Sequence, residues 1–120
     1  MFKVIVAGPR DFTDSTIIFS ALDYYLQNIP ADQLEIVSGG ATGVDSLGEA
    51  WAKNHTVKCT VFPADWQTHG KAAGPIRNKQ MAEYADALIA FVPKAGVTKG
   101  TANMISQADT CELRLRIVTV

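Results

Sequence analysis

The sequence predicts an α/β fold, a three-layer α/β/α sandwich on a mostly parallel five-stranded sheet. Two observations predict it. Short apolar runs rich in valine and isoleucine recur along the chain, and segments with apolar residues at helical spacing follow them in turn. The connections after these runs collect the glycines and charges, as the ligand-bearing edge of such a sheet does. At 120 residues, with 48% apolar and 19% charged residues, the chain has the size and composition of a single packed domain, residues 1–120.

The first strand is Lys3 to Ala7, a β-branched run of the kind buried in a parallel sheet. A helix follows, capped by Thr13 or Asp14, with Ile17, Ile18, Ala21, Leu22, Tyr25 and Leu26 on one face. The segment Asn28 to Asp32, containing Pro30, ends it. Glu35 to Ser38 is the second strand, and Val44, Leu47, Gly48, Trp51 and Ala52 mark the second helix. Gly48 costs about 1 kcal/mol relative to alanine inside a helix, so close packing on the sheet is its expected use. Val57 to Phe62 is the third strand, followed by a long loop, Pro63 to Gly74. Pro75 suits a first helical position and opens the third helix. Ala87 to Val92 is the fourth strand, Gly100 and Thr101 open the fourth helix, and Leu115 to Val120 closes the sheet.

Composition narrows the function. A net charge of −1 argues against broad, charge-driven binding to duplex DNA. Yet Arg10, Lys71, Arg77, Lys79, Lys94 and Lys99, six of eleven basic residues, fall in or just after the loops at one sheet edge. A locally positive mouth on a neutral body fits a small anion better than a polymer. Cys59 and Cys111 belong to no paired motif and are expected as buried free thiols. With only two histidines besides, no metal-ligand spacing exists, and no metal or cofactor is expected. No apolar run reaches the ~20 residues of a membrane span, and the first residues do not resemble a signal peptide, so the cytoplasm is the expected location.

Four segments can carry chemistry. Gly8-Pro9-Arg10 follows the first strand, where Gly8 lets backbone approach a ligand and Arg10 can fork onto phosphate. Gly39-Gly40-Ala41-Thr42-Gly43 leads from the second strand into a helix whose first N–H groups and dipole favour an anion. This loop has neither the lysine of a P-loop nor the glycine spacing of a dinucleotide fingerprint. Asp45, in the first turn, can accept from a ribose hydroxyl or simply favour the helix dipole. In the long loop Asp65 is a candidate carboxylate, Trp66 can stack on a base or lid the core, and His69 is an acid–base candidate. Lys71, Arg77 and Asn78 offer cations and donors, and Gly100-Thr101 forms a second glycine turn into a helix.

In order along the chain, five blocks resemble the SLOG superfamily, in particular its YspA-like branch of small single-domain proteins, many from bacteria and phages. They are Val4-Ile5-Val6-Ala7-Gly8-Pro9-Arg10-Asp11-Phe12, Ser38 to Asp45, Phe62 to Trp66, Gly70 to Asn78 and Gly100 to Met104. The resemblance implies a Rossmann-like fold related to the lonely-guy phosphoribohydrolases and to DprA. It also implies a pocket for a nucleotide-derived ligand, lined by Gly8, Arg10, the Gly39–Asp45 loop, Arg77, Asn78, Gly100 and Thr101, and self-association. Pro9 stands where such proteins usually carry serine or threonine. The phosphoribohydrolases have a P-G-G-x-G-T-x-x-E block, whereas Gly100-Thr101 here is followed by Ala102-Asn103-Met104, with no carboxylate in that turn.

The expected function is therefore binding of a nucleotide-type molecule by a sensor, sequestering or delivery module. The alternative is a nucleotide N-glycosidase using Asp45 or Asp65, with Asp11 a further carboxylate within reach. Single-stranded DNA binding ranks third, since near-neutral charge and few exposed aromatics disfavour it.

Overall fold

The apolar runs become strands in a computed structural model that describes all 120 residues. They are β1 (Phe2–Ala7), β2 (Leu34–Ser38), β3 (Lys58–Val61), β4 (Ala87–Val92) and β5 (Arg114–Thr119). All four pairings are parallel, in the order β3-β2-β1-β4-β5, so the sheet expected to be mostly parallel is wholly so. The three central strands are largely buried, whereas β3 and β5, at the edges, are mostly exposed.

The helices are α1 (Ser15–Tyr25), α2 (Val44–Asn54), α3 (Trp66–His69), α4 (Ala73–Tyr84) and α5 (Lys99–Thr110). Asp14 caps α1, its carboxylate accepting from the N–H groups of Thr16 at 3.1 Å and Ile17 at 3.4 Å. Ile18 and Leu22 of α1 and Trp51 of α2 pack with Val4, Val6 and Phe91 on one face of the sheet. Met81, Met104 and Ala108, from α4 and α5, pack with Ile5, Val37 and Leu88 on the other. Full burial of each large apolar side chain contributes about 1.5–3 kcal/mol. A Cβ at Gly48 would lie 2.9 Å from Cγ1 of Val6, so the glycine does let α2 lie close on β1.

Four local expectations are corrected. Pro75 is the third residue of α4, because a 3-10 turn at Gly70–Ala72 carries the chain into the helix two residues early. Proline fits there because first-turn N–H groups have no intrahelical acceptor. The long connection after β3 also contains the single turn α3. Helix α5 starts at Lys99, one residue ahead of the expected Gly100, with Thr98 preceding it. Both cysteines are free, but Cys59 is exposed because β3 is an edge strand, and Cys111 is half-buried.

No helix is long and apolar enough to cross a membrane. Strand order reverses between β1 and β4, where the connection from β1 turns toward β2 while that from β4 turns toward β5. The carboxyl ends of these two neighbours therefore bound a crevice.

Candidate functional site

That crevice holds a cavity of about 330 Å³ bordered by Gly8, Gly39, Asp45, Arg77, Gly100 and Thr101. Gly8 brings the end of β1 against the start of α2, since a Cβ there would lie 2.7 Å from Cγ2 of Val44. Val6, Ala7, Met81 and Met104 also line this inner lobe.

Arg77 lies one turn into α4, only 9% exposed, and is held from two sides. Its Nη1 donates to the carbonyl of Gly39 and its Nε to Oδ1 of Asn78 at 3.0 Å. Asn78 in turn donates through Nδ2 to Oδ1 of Asn103 at 2.9 Å. Burial lowers the Arg77 pKa and Asp45 opposes the shift; a guanidinium nevertheless keeps its charge in proteins.

Asp45 is 7% exposed, and Oδ2 accepts from the N–H of Ala41 at 3.2 Å. Burial pushes its carboxyl up to about 6, against the lowering pull of the Ala41 N–H and Arg77. A carboxyl raised by burial thus shares a lobe with two arginines, Arg77 and Arg10.

The start of α5 is open. Its first intrahelical donor is the N–H of Ala102, bonded to the carbonyl of Thr98 at 2.9 Å. The N–H groups of Lys99, Gly100 and Thr101 donate to nothing within the protein. Thr98, Gly100 and Thr101 line the lobe, so this helix end presents donors and its positive dipole to the cleft.

The start of α2 is partly engaged, with the N–H groups of Asp45 and Ser46 still unpaired within the protein. Val44 N–H already donates to the carbonyl of Pro9 at 3.1 Å, and the Thr42 hydroxyl donates to that of Arg10 at 3.0 Å. Gly43 caps the helix at φ 74°, ψ −128°. A Cβ there would fall 2.5 Å from the carbonyl carbon of Arg10 and closer still to the Pro9 oxygen. Pro9, Thr42 and Gly43 therefore clamp the loops after β1 and β2 together.

A second, outer lobe of about 410 Å³ adjoins the first. Gly40, Thr42, Val61, Pro63, Ala64 and Trp66 line it, and it shares Arg10, Gly39, Ala41 and Arg77 with the inner lobe. Trp66 is half exposed, with the Arg10 guanidinium carbon 5.9 Å from its ring centroid.

Of the residues singled out in the sequence, ten line the inner lobe: Gly8, Arg10, Asp11, Gly39, Ala41, Asp45, Arg77, Asn78, Gly100 and Thr101. Gly40, Thr42 and Trp66 line only the outer one. Pro9, Gly43, Asp65 and Lys71 line neither lobe. Asp65 caps α3 by accepting from Thr68 N–H at 3.1 Å, and Thr68 holds its carboxyl below the usual range. His69 and Lys71 are exposed and also stand outside both lobes, whereas Asp11 lines the inner one. Sequence reasoning passed over Thr98, Met81 and Met104. The methionines were findable, lying four residues after Arg77 and three after Thr101, on the same helix faces. No group of three or more histidine, cysteine or acidic side chains is placed to hold a metal ion.

A wholly parallel doubly wound sheet with glycine turns, two arginines and two aspartates at its switch point defines a Rossmann-like domain with a charged cleft. The chain belongs to the YspA, cpYpsA-related SLOG family, which it matches over residues 2–69. It is 34% identical over 115 residues to the Gene 61 protein of Mycobacterium phage D29, covering 91% of this chain and 90% of that one. The solved structure of TM1055 superposes with a TM-score of 0.68 at 18% identity, over 96% of this chain and 72% of that one. DNA processing protein A (DprA) from Streptococcus pneumoniae gives a TM-score of 0.58 at 14% identity, over 95% of this chain and 57% of that one. These two likenesses are of fold.

Proposed function

We propose that this domain binds a nucleotide or nucleotide-derived small molecule, of the nucleoside monophosphate or ADP-ribose kind, as a sensor, sequestering or delivery module. One observation carries the reading: Arg10, Arg77 and the open start of α5 converge on a single cleft at the switch point. Each charge-assisted hydrogen bond to an anion contributes about 1.5–3 kcal/mol, and a helix start about 0.3–1 kcal/mol more. Membership of the SLOG family supports a nucleotide-related role.

A second reading, hydrolysis of the glycosidic bond of such a ligand, is favoured by Asp45. Its carboxyl, at about 6, has the acidity of a general acid–base group and lies in the same lobe. Met104, three residues after Thr101, offers only a thioether to that lobe, which favours binding over turnover.

Calorimetry and thermal unfolding with AMP, ribose 5-phosphate and ADP-ribose, alongside chromatography for released base, test both readings. Saturable binding without released base is expected. A ligand at a hundred times its Kd raises stability by about 2.7 kcal/mol. If none of the three binds, the proposal fails; catalytic release of base puts the hydrolase in its place.

A further inference from the structure

The cleft divides into three chemically distinct zones in a row. The outer lobe has an apolar wall of Val61, Pro63 and Ala64 beside the half-exposed ring of Trp66. The inner lobe offers the hydroxyls of Thr98 and Thr101 and the buried carboxyl of Asp45. Both arginines stand on the border, because Arg10 and Arg77 line the two lobes alike. The positive charge is therefore central, with ligand-sized space on either side of it.

A ligand that ends in phosphate would leave one lobe unused. We propose that the ligand is two-ended: an aromatic base in the outer lobe, a sugar in the inner lobe, and a bridging diphosphate across Arg10 and Arg77. This deepens, and rests on, the nucleotide-binding reading above.

The zones match that ligand part by part. Trp66 offers a free π-face for a base, and such stacking tolerates any base. The Arg10 guanidinium already lies over that ring, so it can close on a base from the other side or swing to the phosphates. It is free to do so, since the Arg10 side chain has no hydrogen bond or ion pair within the protein. Arg77, fixed by the Gly39 carbonyl and Asn78, is the immobile partner. In the inner lobe a carboxylate repels phosphate but accepts from sugar hydroxyls, so Asp45 favours the sugar there. The unpaired N–H groups at the start of α5 donate to sugar oxygens or to the nearer phosphate.

Calorimetric titration of wild type, Trp66→Ala and Trp66→Phe with ADP-ribose, AMP and ribose 5-phosphate tests the assignment. ADP-ribose is expected to bind at least about tenfold more tightly than either shorter probe, two stacking-scale contributions being divided between the lobes. Trp66→Ala should weaken ADP-ribose by roughly 5- to 150-fold and leave ribose 5-phosphate unchanged. Trp66→Phe should recover most of the loss, which a merely structural role for the ring would not require. AMP binding as tightly as ADP-ribose, or Trp66→Ala binding ADP-ribose like wild type, overturns the two-ended assignment while leaving the nucleotide site standing. Failure of all three probes on wild type removes both.

Discussion

The two glycine turns that lead into helices differ in what their glycines do. After β2, the turn is crowded: a Cβ at Gly39 would lie 2.7 Å from Nη1 of Arg77, and one at Gly43 would overlap backbone of the loop after β1. After β4, Cβ atoms at Gly96 and Gly100 would meet nothing within 4 Å. Donors divide in the opposite sense. Val44, the first residue of α2, spends its N–H on Pro9 while those of Asp45 and Ser46 stay unpaired, whereas all of the first three N–H groups of α5 are unspent. The turn richest in glycine is thus mainly a clamp, and the sparser one leaves its helix start open to the cleft. Glycine marks a close approach or a conformational need, and only the packing tells which neighbour is approaching.

Gly43→Ala should break the clamp with the largest effect. Positive φ is costly for alanine, and the overlap is with backbone, which cannot rotate away. A loss of about 3 kcal/mol or more is expected from strain and overpacking together. By thermal unfolding that is a fall in Tm on the order of 10 °C. A wild-type Tm would mean that the loops after β1 and β2 are not locked to each other.

Asp45 sits where the clamp meets the cleft, and its cost depends on pH. Its folded pKa, about 6, lies above the ordinary 3.8, so the native state holds the proton more tightly than the unfolded chain. Stability at this group is fully present below about 4, declines as pH rises through about 6, and the penalty is complete above that. Asp45→Asn removes the penalty and keeps an oxygen to accept from Ala41. The variant should gain up to about 3 kcal/mol over wild type at pH 7.5 and little at pH 4, one pKa unit being worth about 1.4 kcal/mol. Denaturant unfolding at the two pH values checks it; an equal difference at both would place the Asp45 titration elsewhere.

Much of this was legible in the sequence, for a physical reason. Strand and helix follow from the periodicity of Val4-Ile5-Val6 or of Ile18, Leu22 and Leu26, and the switch point follows from alternation of the elements. Which residues gather at one sheet edge is then fixed by topology, so Gly8, Arg10, Arg77 and Gly100 could be placed in one cleft from spacing alone. Local hydrogen bonding is not periodic. That Val44 N–H is taken by Pro9, that Thr42 faces Arg10, and that Asp65 turns back to cap α3 depend on atoms brought together by folding. The start of α4 was misplaced for a similar reason: Pro75 is tolerated at several first-turn positions, and the preceding 3-10 turn has no sequence period of its own.

The two arginines separate clamp from seat more finely. Arg77 ties α4 to the Gly39 carbonyl, so Arg77→Ala removes both a cation of the cleft and a tether of the crowded turn. It should weaken AMP binding by about 10- to 150-fold, the worth of one charged hydrogen bond, and also lower Tm. Arg10 is exposed and carries only the loose contact with Trp66. Arg10→Ala should weaken AMP with a reduced salt dependence and leave Tm within experimental error. Equal falls in Tm for the two variants would mean that Arg77 is no more built into the fold than Arg10.

Gly100→Ala has the smallest expected effect and tests the open turn most directly. Gly100 is the second residue of α5, with φ outside the left-handed region and open space where a Cβ would stand. Alanine there restricts the unfolded chain and favours the helix, so a gain of about 0.4–1 kcal/mol is expected. The N–H of residue 100 survives the substitution, so inorganic phosphate or AMP should still bind, within a few-fold of wild type. Set against Gly43→Ala, the same added methyl then has opposite signs at two glycines that precede or open a helix. A destabilisation at Gly100 comparable to that at Gly43 would show that the second turn is as tightly engaged as the first, and the open start of α5 could no longer be the anion's seat.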